Sequence, residues 1–398
     1  MEKRDYVIVG GGMTADAAVR GILEADARAN IKIISAEPDP PYDRPPLTKG
    51  LWTGKDLDDI WRNTADTGAE LVLGRTVERL VPEKKVVVDS DGREYPYGKL
   101  LLATGATPRQ MQLDSDEIVY YRNVADYRTI KEKAEKNERA IVIGGGFIGA
   151  EIAAALTLNG VQVAMVFPET GISGRLFPSG LSEMITDRYR DKGVEIYAGV
   201  KPTALEKNDG TYRATLEDGS SLEGDFVIAG IGVSPNTQLA EAAGLKVDDG
   251  IWVDSNCQTS TSDIYAAGDC AQFHCSLLDS DLRVEHEDNA NSMGKAAGKN
   301  MGGADVEYDY LPFFYSDLFD MGYEAIGKTN SKLDTVEFWK DNAKEKGIVF
   351  YAEDQMLCGA VFWNVWDMVD PFRALLKESR KADQARLASW VSEKAGIE

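Results

Sequence analysis

Two strand–glycine turn–helix–strand units, with turns opening at Gly10 and Gly144, 134 residues apart, predict an α/β protein. A C-terminal stretch without the motif completes the pattern. The predicted fold class is two Rossmann-like dinucleotide-binding domains plus a C-terminal α+β domain. A chain of 398 residues is long enough for two or three domains that each bury a core. The spacing is far too long for a short-period repeat array.

In the first unit the strand runs from Asp5 to Val9, the turn is Gly10-Gly11-Gly12, and the helix covers roughly Met13 to Ala27. A second strand follows from Ile31 to Ala36. The spacing Gly10-x-Gly12-x-x-Ala15 between strand and helix fits a pyrophosphate cradle. Small residues allow close backbone approach, and the helix N-terminus supplies unpaired N–H groups with a partial positive charge. Glu37 closes the second strand, 22 residues beyond Ala15, where a carboxylate can accept hydrogen bonds from adenosine ribose hydroxyls.

The second unit opens with the strand Ala140-Ile141-Val142-Ile143 and the fuller motif Gly144-x-Gly146-x-x-Gly149. Its helix ends near Asn159-Gly160, and its next strand covers Val161 to Phe167. Glu169 lies 20 residues beyond Gly149, and a carboxylate there favours the 2′-hydroxyl of NAD(H) over the 2′-phosphate of NADP(H). Arg175 is near enough in sequence to qualify that preference. Gly232 is assigned to the same nucleotide side.

Between Thr203 and Gly230 short alternating segments around an Asp218-Gly219 turn predict an antiparallel flap. Beyond Gly303, Gly347 to Tyr351 and Met356 to Trp363 read as a hairpin, followed by a charged helical tail from Pro371. The expected domains are therefore 1–110 with 233–303, an inserted 111–232, and a third at 304–398.

Composition narrows the partners. Hydrophobic residues make up 43% and charged residues 28%, as in a globular protein. The first apolar run, Tyr6 to Val9, has no signal-type cleavage site, and no later run reaches membrane length without a charge. With four cysteines and no disulfide framework, the expected location is cytoplasmic, in a reducing compartment. The formal charge of −22 repels nucleic acids and anionic membranes. Two histidines and no His/Cys cluster predict no metal site.

Two further strand ends decide which nucleotides are bound. Leu101-Leu102-Ala103-Thr104-Gly105-Ala106 ends a strand in small residues suited to a second cofactor segment. Ile264-Tyr265-Ala266-Ala267-Gly268-Asp269 ends another with a carboxylate just before an expected helix. Asp269 can accept a hydrogen bond from a ribityl hydroxyl, which FAD has and NAD lacks. One nucleotide is therefore read as FAD and the other as NADH.

With these residues in view, the chain resembles the FAD-dependent pyridine nucleotide oxidoreductases, in the branch of apoptosis-inducing factor and the oxygenase-type ferredoxin reductases. The resemblance rests on Pro41-Tyr42-Asp43-Arg44-Pro45-Pro46-Leu47-Thr48-Lys49, Phe167-Pro168-Glu169 and Val284-Glu285-His286-Glu287-Asp288-Asn289-Ala290. Gly322-Tyr323-Glu324-Ala325-Ile326-Gly327 and Phe362-Trp363-Asn364 extend it to about residue 366. It implies a glutathione reductase-like arrangement of the two nucleotide domains. It also implies that Arg44 contacts the FAD pyrophosphate region and that Lys49 lies beside the isoalloxazine, where an ammonium would stabilise the reduced ring. Glu151 is expected to face Lys49 near the nicotinamide amide, and Phe147 to gate the nicotinamide site. Glu285 and His286 precede a small-residue helix, Ala290 to Gly298, that would point at the flavin pyrimidine end. Trp363 is expected to flank the nicotinamide–flavin region.

One family feature is missing. Flavin disulfide reductases carry Cys-x4-Cys beside the flavin in the N-terminal part of the chain, whereas here no cysteine precedes Cys257. Cys270 and Cys275 have that spacing in the wrong place, and on a helix they would point about 140° apart. Electrons are therefore expected to leave the flavin directly, for a redox protein, quinone or dioxygen. The alternative is a slow-turnover redox sensor, like apoptosis-inducing factor, that dimerises with ligand as a homodimer.

Overall fold

The computed structural model describes residues 5–113, 118–136 and 138–397. The chain divides into two compact units: Met1–Arg44, Asp56–Thr107 and Ser234–Pro312 form one, and Pro45–Lys55, Pro108–Val233 and Phe313–Glu398 the other.

The first unit is built on a five-stranded parallel sheet. Its spatial order is Ile264–Ala266, Lys99–Leu102, Asp5–Val9, Asn30–Ile34, Glu70–Val72. Strand order reverses at Asp5–Val9, so the carboxyl ends of Asp5–Val9 and Lys99–Leu102 form the switch point where doubly wound sheets take ligands. Tyr6–Val9, Ile33–Ile34 and Leu100–Leu102 are buried apolar runs, as the middle of a covered parallel sheet requires. Helix Met13–Ala25 packs on helix Glu287–Gly302 through glycine. A Cβ at Gly298 would lie 2.1 Å from the Ala18 carbonyl oxygen, and one at Gly21 would lie 2.3 Å from that of Lys295. The small residues of the second helix thus serve close helix–helix contact.

One sequence expectation fails here. Asp269 sits in a short 3₁₀ turn, Gly268–Cys270, and Ala271–Cys275 is a strand, paired with Ile251–Trp252 and Ser280–Leu282, instead of a helix. Strand pairing on both sides overrides the weak local preference of that short run.

The second unit holds another parallel sheet, ordered Glu195–Ala198, Gln162–Phe167, Arg139–Ile143, Phe226–Ala229, Val119–Tyr120. The expected flap exists as Pro202–Asn208, Thr211–Leu216 and Ser221–Gly224, all antiparallel. Phe226–Ala229 leaves it to pair in the parallel sheet, as four successive buried apolar residues require. The C-terminal part is a five-stranded antiparallel sheet, in which Phe313–Leu318 is an edge strand and Met356–Trp363 is central. Helices Val369–Glu378 and Gln384–Ala395 follow it.

Segment Pro45–Lys55 precedes most of the first unit's sequence, yet it packs in the second. The reason is local. Leu47, Leu51 and Trp52 are buried, Trp52 Nε1 donates to the Leu47 carbonyl at 2.7 Å, and Tyr121 donates to the same oxygen. Asn159 Nδ2 donates to the Trp52 carbonyl at 3.1 Å. Lys49 is thereby fixed within the second unit.

Candidate active site

In the first unit the turn after Asp5–Val9 is shaped by backbone crowding. Gly10 has φ +110°, and a Cβ there would stand 2.0 Å from the Ala103 carbonyl oxygen. Gly12 is different: the nearest atom to a Cβ would be Arg44 Nη2, 3.9 Å away. A guanidinium therefore lies over the open end of the turn, at the N-terminus of helix Met13–Ala25. Helix dipole and cation converge where a pyrophosphate would sit, so these residues suit a dinucleotide. Ala15 is fully buried beneath the turn.

Arg44 is held by Glu37, which is also the acceptor of the Tyr42 hydroxyl at 2.7 Å. Desolvation pulls the guanidinium down, but Tyr42 and Glu37 outweigh it and hold it above its ordinary value. Glu37, assigned to ribose from its spacing, thus already carries two donors. Thr104 and Gly105 are clipped by a residue that sequence reasoning missed. Thr104 Oγ1 donates to the Asn236 carbonyl at 2.7 Å, Asn236 Nδ2 donates to the Thr104 carbonyl at 2.8 Å, and Gly105 has φ +67°.

Asp269 follows Gly268, where a Cβ would stand 2.3 Å from Thr14 Oγ1, so its turn presses on the first turn of helix Met13–Ala25. Its charge reaches both Arg44 and His286. His286 caps helix Glu287–Gly302, which begins earlier than its small-residue core. Burial pushes its imidazole down to about 4, with Asp269 pulling the other way, so the ring is neutral at physiological pH. Glu285 does not join this group. Its exposed carboxylate pairs with Arg283 at 2.5 Å, and Arg283 also donates to the Asp269 carbonyl at 3.2 Å.

The second unit repeats the turn with different surroundings. Gly144 has φ +111°, and a Cβ at Gly149 would stand 1.9 Å from the Gly144 carbonyl oxygen. Gly146 is exposed with nothing near its missing Cβ. Glu169 pairs with exposed Arg175, and exposed Gly232 (φ +97°) accepts from the Arg109 N–H at 2.9 Å.

Beyond that turn, helix Phe147–Leu158 carries Glu151, only 7% exposed. Its Oε1 meets Lys49 Nζ at 3.2 Å and accepts from Ser316 Oγ at 2.6 Å, and its Oε2 accepts from Thr48 Oγ1 at 2.5 Å. The Lys49–Glu151 pairing expected from the resemblance is present, while Thr48 and Ser316 had no signal in the sequence. Phe147 meets Phe314 edge-on at 4.7 Å. Trp363 stands apart: it is fully buried, stacked on Tyr323 at 5.7 Å with Phe177 at its edge. Rings of Phe314 and Tyr323 intervene between it and Phe147, so it serves the core of the C-terminal sheet.

All four cysteines are buried and none forms a disulfide, and burial raises the thiols of Cys257, Cys270 and Cys358, the last to about 11. Among the described residues no His, Cys, Asp or Glu group could hold a metal, and no helix is long and apolar enough to cross a membrane.

Residues 4–294 match the pyridine nucleotide-disulphide oxidoreductase family, and residues 297–345 match the C-terminal, mitochondrion-associated domain of apoptosis-inducing factor. The chain belongs to the pyridine nucleotide-disulphide oxidoreductase family. It is an FAD-dependent NAD(P)H oxidoreductase. Among its relatives is mitochondrial apoptosis-inducing factor 1 of Dictyostelium discoideum, 33% identical over 96% of this chain and 79% of that one. Another is the ferredoxin–NAD(+) reductase component of the anthranilate 1,2-dioxygenase system of Burkholderia cepacia, 34% identical over 82% of each. Peroxisomal monodehydroascorbate reductase 4 of Arabidopsis thaliana is 35% identical over 81% of this chain and 72% of its own. In the solved covalent complex of putidaredoxin reductase with putidaredoxin, the matching chain superposes with a TM-score of 0.90 at 27% identity, over 99% of this chain and all of that one.

Proposed function

We propose that NADH is the preferred donor and that electrons leave the flavin for an external acceptor without passing through a thiol. The observation that carries this reading is the state of the cysteines. All four are buried, and three are pushed toward the protonated, unreactive form by that burial. None lies in the segment Pro45–Lys55, where a disulfide reductase would place its pair. The acceptor class is a small redox protein, a quinone or dioxygen. The names of the Burkholderia relative and of the putidaredoxin reductase complex support the first. A cytoplasmic location and the division into an FAD domain, an NADH domain and a C-terminal domain belong to the same proposal.

When bound, FAD supplies a reversible two-electron acceptor. The residues assigned to hold it are Gly10, Gly12, Ala15 and Arg44 at the pyrophosphate, with Glu37, Thr104, Gly105 and Asp269 beside them. His286, neutral above about pH 4, acts as a wall and hydrogen-bonding group, with no proton to deliver at physiological pH. Gly144, Gly146 and Gly149 receive the NADH pyrophosphate, Glu169 the ribose diol, and Phe147 covers the nicotinamide. Glu151 holds Lys49 in position, the cation that answers the charge arriving with hydride. Catalysis is mainly positioning.

Steady-state turnover of the yellow protein with NADH, against a redox protein, a quinone and dioxygen, tests this. Fast multiple turnover with one of them is the expected result. The match to the apoptosis-inducing factor C-terminal domain favours a second reading, a slowly turning redox sensor. Sluggish turnover with all acceptors, together with NADH-dependent homodimer formation, would establish that reading instead.

A further inference from the structure

The Lys49–Glu151 pair owes its geometry to the C-terminal sheet. Edge strand Phe313–Leu318 contributes three contacts. Ser316 Oγ donates to Glu151 Oε1 at 2.6 Å, the Tyr315 carbonyl accepts from Lys49 Nζ at 3.1 Å, and the Tyr315 ring centre lies 3.8 Å from that nitrogen. Ser316 is 1% exposed and Glu151 7%, so neither relies on water.

A carboxylate and an ammonium removed from water are stable only where further hydrogen bonds complete their shells. Here Thr48 holds one carboxylate oxygen and Ser316 the other, the same oxygen that faces Lys49. With both hydroxyls in place, Glu151 cannot turn about its last bond without breaking a charge-assisted hydrogen bond. Without Ser316, the Lys49 side of the carboxylate loses its lateral restraint. The nearby phenols of Tyr189 and Tyr323 offer no substitute charge, since burial and the charge of Glu151 hold both well above the ordinary tyrosine value.

We propose that Ser316 is a positioning residue for the oxidoreductase: by locking Glu151 it keeps the Lys49 ammonium in one place, which makes the C-terminal sheet part of the catalytic apparatus. This rests on the role assigned to Lys49 above. The substitutions Ser316→Ala and Ser316→Thr, in FAD-loaded protein, test it. The limiting rate of flavin reduction by NADH in stopped flow should fall about tenfold in Ser316→Ala. Half-saturating NADH and flavin content should stay within twofold, and Ser316→Thr should restore most of the rate. A second readout does not depend on turnover. Ser316→Ala should lower the thermal unfolding midpoint of the parent, but have little effect when Glu151 is already Leu.

An unchanged limiting rate in Ser316→Ala overturns the proposal. So does a midpoint loss of equal size in both backgrounds, which would make Ser316 a packing residue. If even the parent fails to be reduced by NADH, the role of Lys49 falls, while the unfolding comparison still decides whether Ser316 and Glu151 are coupled. Should Ser316→Ala not fold, Ser316→Cys, similar in size and a weaker donor, replaces it.

Discussion

The two glycine turns share a backbone and differ in what stands over it. At the first, Arg44 lies above Gly12, fixed in turn by Glu37 and Tyr42. At the second, Gly146 is exposed with nothing above it, and the nearby acid, Glu169, pairs with an arginine that is itself 77% exposed. A preorganised cation lowers the cost of ordering a ligand and suits a nucleotide that stays. An open turn with an exposed polar rim suits one that comes and goes. The contrast is what the proposed division, FAD kept by the first unit and NADH exchanging at the second, would use.

The most severe way to break this comparison is to fill the turns. Gly10→Ala places a methyl group 2.0 Å from the Ala103 carbonyl in a left-handed conformation, and Gly149→Ala places one 1.9 Å from the Gly144 carbonyl. Each should cost about 3 kcal/mol or more in its own unit. Gly10→Ala should purify colourless or not at all. Gly149→Ala should stay yellow but resist reduction by NADH, as absorbance after anaerobic mixing would show. Next in size, Arg44→Ala should weaken FAD binding about 10- to 100-fold by the loss of a charge-assisted contact. Reconstitution titrations would measure this, with half-saturating NADH unchanged.

A smaller effect is expected at the open turn. Glu169→Ala should lower kcat/KM for NADH about tenfold and release Arg175, which then favours a 2′-phosphate, so NADPH use should rise. Steady-state kinetics with both donors read the ratio, and Arg175→Ala in the same background should reverse the NADPH gain.

The last effect is read only against pH and concerns His286. Folded, its imidazole takes a proton only near pH 4, whereas the unfolded chain takes one near the ordinary 6.5. The unfolded state binds more protons between those values, so stability should fall as pH drops from about 6.5 to 4. Unfolding midpoints across that window should slope less in His286→Gln.

The turns, the carboxylates after each second strand and the switch-point strands were legible because they are local: period, spacing and glycine position suffice. What remained hidden depends on residues distant in sequence. Asn236 clips Thr104 across 132 positions, and Ser316 reaches Glu151 across 165. Neither Asn nor Ser carries a pattern that announces such a partner. The strand Ala271–Cys275 was misread because five residues cannot display a helical or strand period, and its neighbours in the sheet decide the matter. The packing of Trp363 between Tyr323 and Phe177 joins two strands and a loop, which no motif encodes.

The central claim, one retained flavin that passes electrons on without a thiol relay, is tested most directly by anaerobic titration of the FAD-loaded protein with NADH. Full bleaching of the flavin should require one equivalent of NADH per FAD, and treatment with a thiol reagent should leave the endpoint unchanged. An endpoint at two equivalents, shortened to one when the NADH-reduced protein is first alkylated and its flavin then reoxidised, would reveal a redox-active disulfide and contradict the account.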